Sequence, residues 1–288
     1  MKNYVIITDS GCDINSAMLK EWGVESIDLS FRFENESREY LASEMDIKTF
    51  YNRMRDGGIA KTMAINPETF MTVFENHLSQ GKDIIYLGFS SGLSTTFNSS
   101  KIAASELMEK YPDRKIECVD SLCASAGQGL FVYLVAEKSN SGATFDETIE
   151  YANSIVKNIC HWFTVDDLVY LKRGGRVSPA VALVGKVLGI KPVLHVDNEG
   201  KLISMSKARG RKAALTALAD KYGELAKSEY SDTVFISNAD CIDDVNELKN
   251  MLKSRFNANV KVITDIGTVI GAHAGPGTIA LFFVAKER

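Results

Sequence analysis

The sequence predicts an α/β protein of two domains, an N-terminal one on a largely parallel sheet and a C-terminal two-layer α/β one. Three observations carry this. Apolar runs of strand length alternate with helically spaced stretches from Tyr4 to about residue 137, as in a parallel sheet covered on both faces. After the polar stretch 138–144 the texture changes, with a hairpin signal at 197–200 among long helices, which suggests an α+β or two-layer arrangement. Finally, 288 residues, 45% of them apolar, make a core that usually divides in two. The predicted domains are 1–155 and 156–288.

The elements follow in order. Residues 4–8 read as a strand, 14–22 as a helix, and 46–55 and 67–78 as two more helices, the second opened by Asn66 as cap and Pro67 in the first turn. The run DIIYLGF over 83–89 is the clearest buried strand, followed by a Ser/Gly loop and a helix over about 93–110. A strand at 115–119 and a helix at 125–137 complete the first half. A helix over 145–158 then precedes a Gly-punctuated apolar stretch at 180–190. The hairpin comes next, then a helix over 209–226, a strand at 233–237, a helix at 242–256 and a strand at 260–264.

Composition narrows the function classes. With 33 Lys+Arg against 37 Asp+Glu, the formal charge of -4 gives no electrostatic reason to expect nucleic acid. Cys12, Cys118, Cys123, Cys160 and Cys241 form no C-x-x-C pair, so reduced thiols are expected rather than a zinc site or a disulfide framework. The N-terminal apolar run is too short for a signal peptide. The most apolar long segment, 262–285, contains Asp265, His273, Pro276 and four glycines, a poor lipid-facing helix. A cytoplasmic protein without stable membrane insertion is expected.

Four segments could carry chemistry. Gly88-Phe89-Ser90-Ser91-Gly92-Leu93-Ser94-Thr95-Thr96 lies between a strand and a helix, where an open α/β sheet binds ligands and free helix N–H groups hold anions. It lacks the P-loop lysine, but Gly88, Ser90 and Gly92 satisfy G-x-S-x-G. Helix cap, anion site and a serine-esterase nucleophile (Ser90, with His273 as base) are all open readings of this loop. His273 sits among Gly271, Gly275, Pro276 and Gly277, on backbone that approaches something closely. It either donates to an oxyanion or caps a turn. In the run 166–176, Asp166 and Asp167 read as members of a salt-bridge network, while either Arg173 or Arg176 could clamp a carboxylate or phosphate. Residues 8–13 place Asp9 and Asp13 after the first strand, suited to Mg²⁺, to a phosphate or nucleotide module, or more simply to capping.

Taken jointly, these segments resemble the DegV family of bacterial fatty-acid-binding proteins. The matching stretches are T-D-S-x-x-D (8–13), K-T-x-x-x-N-P (61–67), S-S-x-L-S-x-T (90–96), D-S (120–121), D-D-L-x-Y-L-x-x-G-G-R (166–176), G-I-K-P-V-L (189–194) and G-x-V-I-G-A-H-x-G-P-G (267–277). They occur in family order over nearly the whole chain. The resemblance implies a non-enzymatic protein that holds one long-chain, palmitate-like fatty acid between its two domains, without a further cofactor. It also implies a partner, a fatty acid kinase that phosphorylates the presented carboxyl group. Carried over by position, Thr62 and Ser94 would bind the carboxylate, His273 and Arg173 would join the polar network, and Arg209 would meet the kinase. Thr95 stands where the family has glycine, adding a hydroxyl at the pocket mouth, and Phe97 replaces tyrosine.

The physical chemistry fits such a ligand. Burying about fifteen methylenes at ~0.8 kcal/mol each gives a gross gain on the order of 12 kcal/mol before association costs. The carboxylate must keep hydrogen bonds as it leaves water. The stretch 181–190 and the Phe and Met residues are candidate tunnel walls.

Overall fold

A computed structural model of the chain describes residues 3–177 and 189–288. Thirteen strands among these residues form three sheets. The first, in order β2-β1-β6-β7, is wholly parallel and comprises β1 (Tyr4–Asp9), β2 (Val24–Ile27), β6 (Asp83–Gly88) and β7 (Ile116–Asp120). A small antiparallel sheet, β4-β3-β5, comprises β3 (Ser30–Phe33), β4 (Tyr40–Leu41) and β5 (Ala60–Met63). The third sheet has six strands in order β10-β9-β8-β13-β11-β12. These are β8 (Ile159–Thr164), β9 (Ile190–Val196), β10 (Leu202–Arg209), β11 (Val234–Asn238), β12 (Val260–Asp265) and β13 (Ile279–Val284). Its neighbours are antiparallel except β11 and β12.

The large sheets stack with helices into five layers. Helices Pro67–Leu78 and Thr96–Lys110 cover one face of the parallel sheet against Ile7, Ile84 and Tyr86. On its other face, Ile6, Ile85 and Leu87 meet helices Ser16–Trp22, Ala126–Asn140 and Phe145–Ile155. The same cluster includes Phe163, Phe235, Ala280 and Phe282 of the six-stranded sheet. Helices Arg211–Leu225 and Ile242–Phe256 cover the far face through Trp162, Ile236, Leu281 and Phe283. Successive side chains of β8 and β13 thus enter different layers, as strand alternation requires.

The helix Ala126–Asn140 has little free surface: eleven of its fifteen residues are buried. Two glycines let it fit between the sheets. A Cβ on Gly127 would stand 2.2 Å from His161 Nε2, and one on Gly129 would stand 2.5 Å from Ile14. Ser125, just before this helix, adopts φ 54° and ψ −150°, a region costly for a residue with a side chain. Its hydroxyl donates 2.5 Å to Asp13 Oδ2, while Asp13 Oδ1 accepts from Gly267 N–H at 2.9 Å. Burial raises the Asp13 carboxyl to about 7 despite these two donors.

Several boundaries differ from those read in sequence. Helix Thr96–Lys110 starts three residues later than predicted, because Leu93 and Ser94 close a turn back onto Ser90 O. Arg209 ends strand β10 and does not open the following helix. Of the predicted tunnel-wall stretch 181–190, residues 181–188 lie outside the described residues. Among the described residues, no helix is long and apolar enough to cross a membrane.

Gly127→Ala is expected to lower stability by about 1–3 kcal/mol, the range for overpacking a dense core. The check is a urea unfolding curve, whose midpoint should fall with its slope unchanged; an unmoved midpoint would contradict the packing described.

Candidate functional site

A cavity of about 470 Å³ opens at the carboxyl ends of the parallel strands and against the inner face of the six-stranded sheet. Leu29, Met63 and Phe89 contribute apolar wall from the first half of the chain, and Phe163, Val269 and Phe282 from the second. The volume lies in the range of small-molecule sites. Polar groups reach it from strand β5, from loop ends and from one short helix: Thr62, Ser94, Thr95, Arg176 and His273 all face it.

Thr62 is held by strand β5, where it pairs with Phe31. The small sheet was not foreseen, because its strands are only two to four residues long. His273 is carried by helix Thr268–Ala274. This helix approaches helix Ile47–Arg55 at Gly271, where a Cβ would lie 2.4 Å from Tyr51 Oη. The Tyr51 hydroxyl in turn donates to Ile266 O at 2.7 Å. So braced, His273 Nε2 stands 2.8 Å from Thr62 Oγ1.

The imidazole tautomer follows from its surroundings. Nδ1 is buried with no hydrogen-bond partner and lies against Gly174, where a Cβ would come within 2.0 Å. Burial, with Arg176 nearby, lowers its pKa to about 4, so the ring is neutral near pH 7. A proton on Nδ1 would be an orphaned donor, so the ring proton belongs on Nε2 and is donated to Thr62 Oγ1. The Thr62 hydroxyl proton is then left for a ligand.

Ser94 is prepared in the same sense. Its Oγ accepts from Thr96 N–H at 3.2 Å and lies 2.9 Å from Thr96 Oγ1, which itself accepts from Ile65 N–H at 3.4 Å. With Thr96 donating onward to Ser94, the Ser94 proton is left for the cavity. Thr95 caps helix Thr96–Lys110 at φ −78° and ψ −3°, so its backbone does not need the glycine found in the family pattern. The N-terminus of this fifteen-residue helix adds a favourable field for an anion.

The other sequence candidates lie elsewhere. Arg173 is exposed, 5.6 Å from the Tyr170 ring centroid, and does not line the cavity. Arg176, three residues on, does. The Gly174-Gly175 turn swings the later arginine inward, with Gly175 at φ +73°. Arg209 is exposed. Ser90 is fully buried, donates to Gly200 O at 2.8 Å and is not hydrogen-bonded to His273. The base contact that an esterase needs is therefore not formed. Asp9 accepts from Tyr86 Oη, Phe89 N–H and Gly11 N–H, which fixes the strand ends beneath the loop. Asp166 pairs with Lys191 and Arg211, and Asp167 caps Val169 N–H. Among the described residues, no cluster of three or more His, Cys, Asp or Glu could hold a metal ion.

Sequence reasoning passed over Ser125, His161 and Thr278, which also line the cavity. His161 is neutral and fully engaged, Nδ1 donating to Ile159 O and Nε2 accepting from Ala124 N–H. Burial holds its pKa well below the usual histidine value.

The architecture is that of a two-domain α/β protein with a cavity between its large sheets. The chain belongs to the DegV family: the family model described as "Uncharacterised protein, DegV family" matches residues 3–286. A DegV domain-containing protein of Clostridium perfringens is 40% identical over all of this chain and 99% of its own length. A DegV lipid-binding protein from Thermotoga maritima is 30% identical, with both chains fully covered and a TM-score of 0.83. A DegV family protein from Thermus thermophilus, described as binding fatty acid, is 25% identical over 98% of this chain and 99% of its own, with a TM-score of 0.86. DegV of Bacillus subtilis, described as a fatty acid binding protein, is 26% identical over 99% of this chain and 100% of its own, with a TM-score of 0.83.

The His273 environment gives a pH prediction. Its folded pKa is lowered, so the associated stability is present in full above the ordinary value of 6.5 and is lost as the pH falls towards about 4. The loss amounts to at most about 3 kcal/mol. Urea midpoints measured from pH 7.5 to 4.5 should fall more steeply for the native chain than for His273→Gln. Parallel curves would show that the ring is not held neutral.

Proposed function

We propose that this protein is a non-enzymatic carrier of one long-chain fatty acid. In this reading the acyl chain occupies the apolar cavity and the carboxylate accepts from the Thr62 and Ser94 hydroxyls. The observation that carries it is the convergence on one cavity of Thr62, paired with His273, and Ser94, paired with Thr96; with the protons assigned as above, each keeps a hydroxyl donor for an acceptor. The fatty acid and lipid binding described for the relatives from Thermus thermophilus, Bacillus subtilis and Thermotoga maritima supports the same ligand class. Thr95, at the helix N-terminus, adds a third hydroxyl near the head group.

We further propose that the carrier presents its carboxylate to a fatty acid kinase, which forms the acyl phosphate. An adjoining groove shares Leu93, Arg176 and Leu202 with the cavity and carries Lys172 and Lys201. Its basic rim suits an approaching phosphate donor. Arg173 and Arg209 are both exposed and belong, in this reading, to the kinase-facing surface. The domains are assigned as 1–155 and 156–288, since the strands of the parallel sheet end at Asp120 and those of the six-stranded sheet begin at Ile159. Five free thiols suit a cytoplasmic location.

Native mass spectrometry of freshly purified protein, followed by organic extraction, should find one long-chain fatty acid per chain. Absence of lipid together with no uptake of added fatty acid would overturn the reading. Thr62→Ala and Ser94→Ala should each weaken fatty acid binding about tenfold or more while the fold is kept, as for loss of a hydrogen bond to a charged group. Unchanged affinity in both would remove these residues from the site.

A further inference from the structure

The half-buried guanidinium of Arg176 stands between the two segments that carry the head-group residues. Nε and Nη2 donate to Leu93 O at 3.1 and 3.0 Å, the carbonyl immediately before Ser94. Nη1 donates 2.5 Å to Gly174 O, the residue packed on the His273 ring. These acceptors are neutral. Among the described residues no carboxylate lies within ion-pair range of Arg176, and residues 178–188 contain neither Asp nor Glu. A cation partly withdrawn from water beside an apolar cavity is costly unless a counter-charge reaches it.

We propose that Arg176 sets the charge selectivity of the cavity: anchored on the Leu93 and Gly174 carbonyls, its guanidinium supplies the counter-charge for an ionised carboxylate and discriminates against uncharged head groups of the same length. This rests on the fatty acid reading and gives a role to Arg176, which ends the 166–176 motif but is not among the site residues that the resemblance implies. The guanidinium is a positioning residue through Leu93 and a specificity determinant through its charge.

The test compares hexadecanoic acid with hexadecan-1-ol, each titrated as a competitor of a fluorescent fatty acid on the full chain at pH 8. The native protein should favour the acid by on the order of ten- to a hundredfold, as expected for a hydrogen bond to a charged group. In Arg176→Gln the ratio should collapse to within about threefold, and Arg176→Lys, which keeps charge without the planar fork, should restore part of it. A merely structural arginine would weaken acid and alcohol equally, so an unchanged ratio in Arg176→Gln overturns the proposal and leaves the carrier reading standing. Native protein that takes up neither compound overturns both.

Discussion

Everything in this molecule is arranged around one helix that has almost no surface of its own. The segment Ala126–Asn140 is packed between the parallel sheet and the six-stranded sheet, and its side chains belong to the core of both. Such a helix cannot be amphipathic, and its apolar residues are distributed on all sides. Gly127 sets its distance from the six-stranded sheet and Gly129 from the loop at 12–14, and Gln128, which with Ser139 is one of its two buried polar side chains, donates through Nε2 to Thr8 Oγ1 and Leu87 O. The same segment opens at the cavity, because Ser125 lines it while holding Asp13. The packing of the two halves and the shape of the site are therefore one constraint. Asp13 extends it: its main-chain carbonyl accepts from Thr264 and its side chain from Gly267 N–H, so the first strand's loop is tied to the segment that leads to His273.

The polar end of the cavity is built to donate. An imidazole that carries its proton on Nε2, rather than on Nδ1, lets Thr62 keep its own proton for a ligand, and a main-chain N–H plus a neighbouring hydroxyl do the same for Ser94. Hydroxyl donors prearranged in this way replace water around a carboxylate without bringing further charge into the apolar wall. The formal positive charge comes from the side, through an arginine whose other obligations are to main-chain oxygens. Overall net charge has no part in this. A net charge of -4 is no obstacle to the proposed anion site, which needs only a local convergence of N–H and O–H groups.

Much of the N-terminal half was legible in the sequence because its strands and helices have different periods. The run 83–89 is short, apolar and bounded by polar residues, and Asn66-Pro67 is a recognisable helix start that the structure reproduces, with Asn66 Oδ1 accepting from Thr69 N–H. The C-terminal half was harder to read. Strands β8 and β13 are buried at every position, so neither shows the polar alternation that marks a half-exposed strand. On sequence alone the run 279–284 is only the end of the long apolar segment 262–285, whereas in the structure it is an interior strand of the six-stranded sheet, between β8 and β11. The small sheet that carries Thr62 has strands too short for any period to show. Within 166–176 the presence of an inward arginine was legible but its identity was not, since a Gly-Gly turn with a positive φ at Gly175 decides which one points to the cavity.

The central claim, that a long-chain carboxylate is held as an ion by Thr62, Ser94 and their partners, is open to direct measurement. Carbon-13 NMR of fatty acid labelled at its carboxyl carbon, bound to the protein and titrated from pH 8 to 5, reports the state of the head group itself. The account predicts one resolved carboxylate resonance, distinct from free acid, that does not titrate over this range and shifts in Thr62→Ala. A bound carboxyl signal that protonates within the range, or that is indifferent to Thr62→Ala, would contradict it.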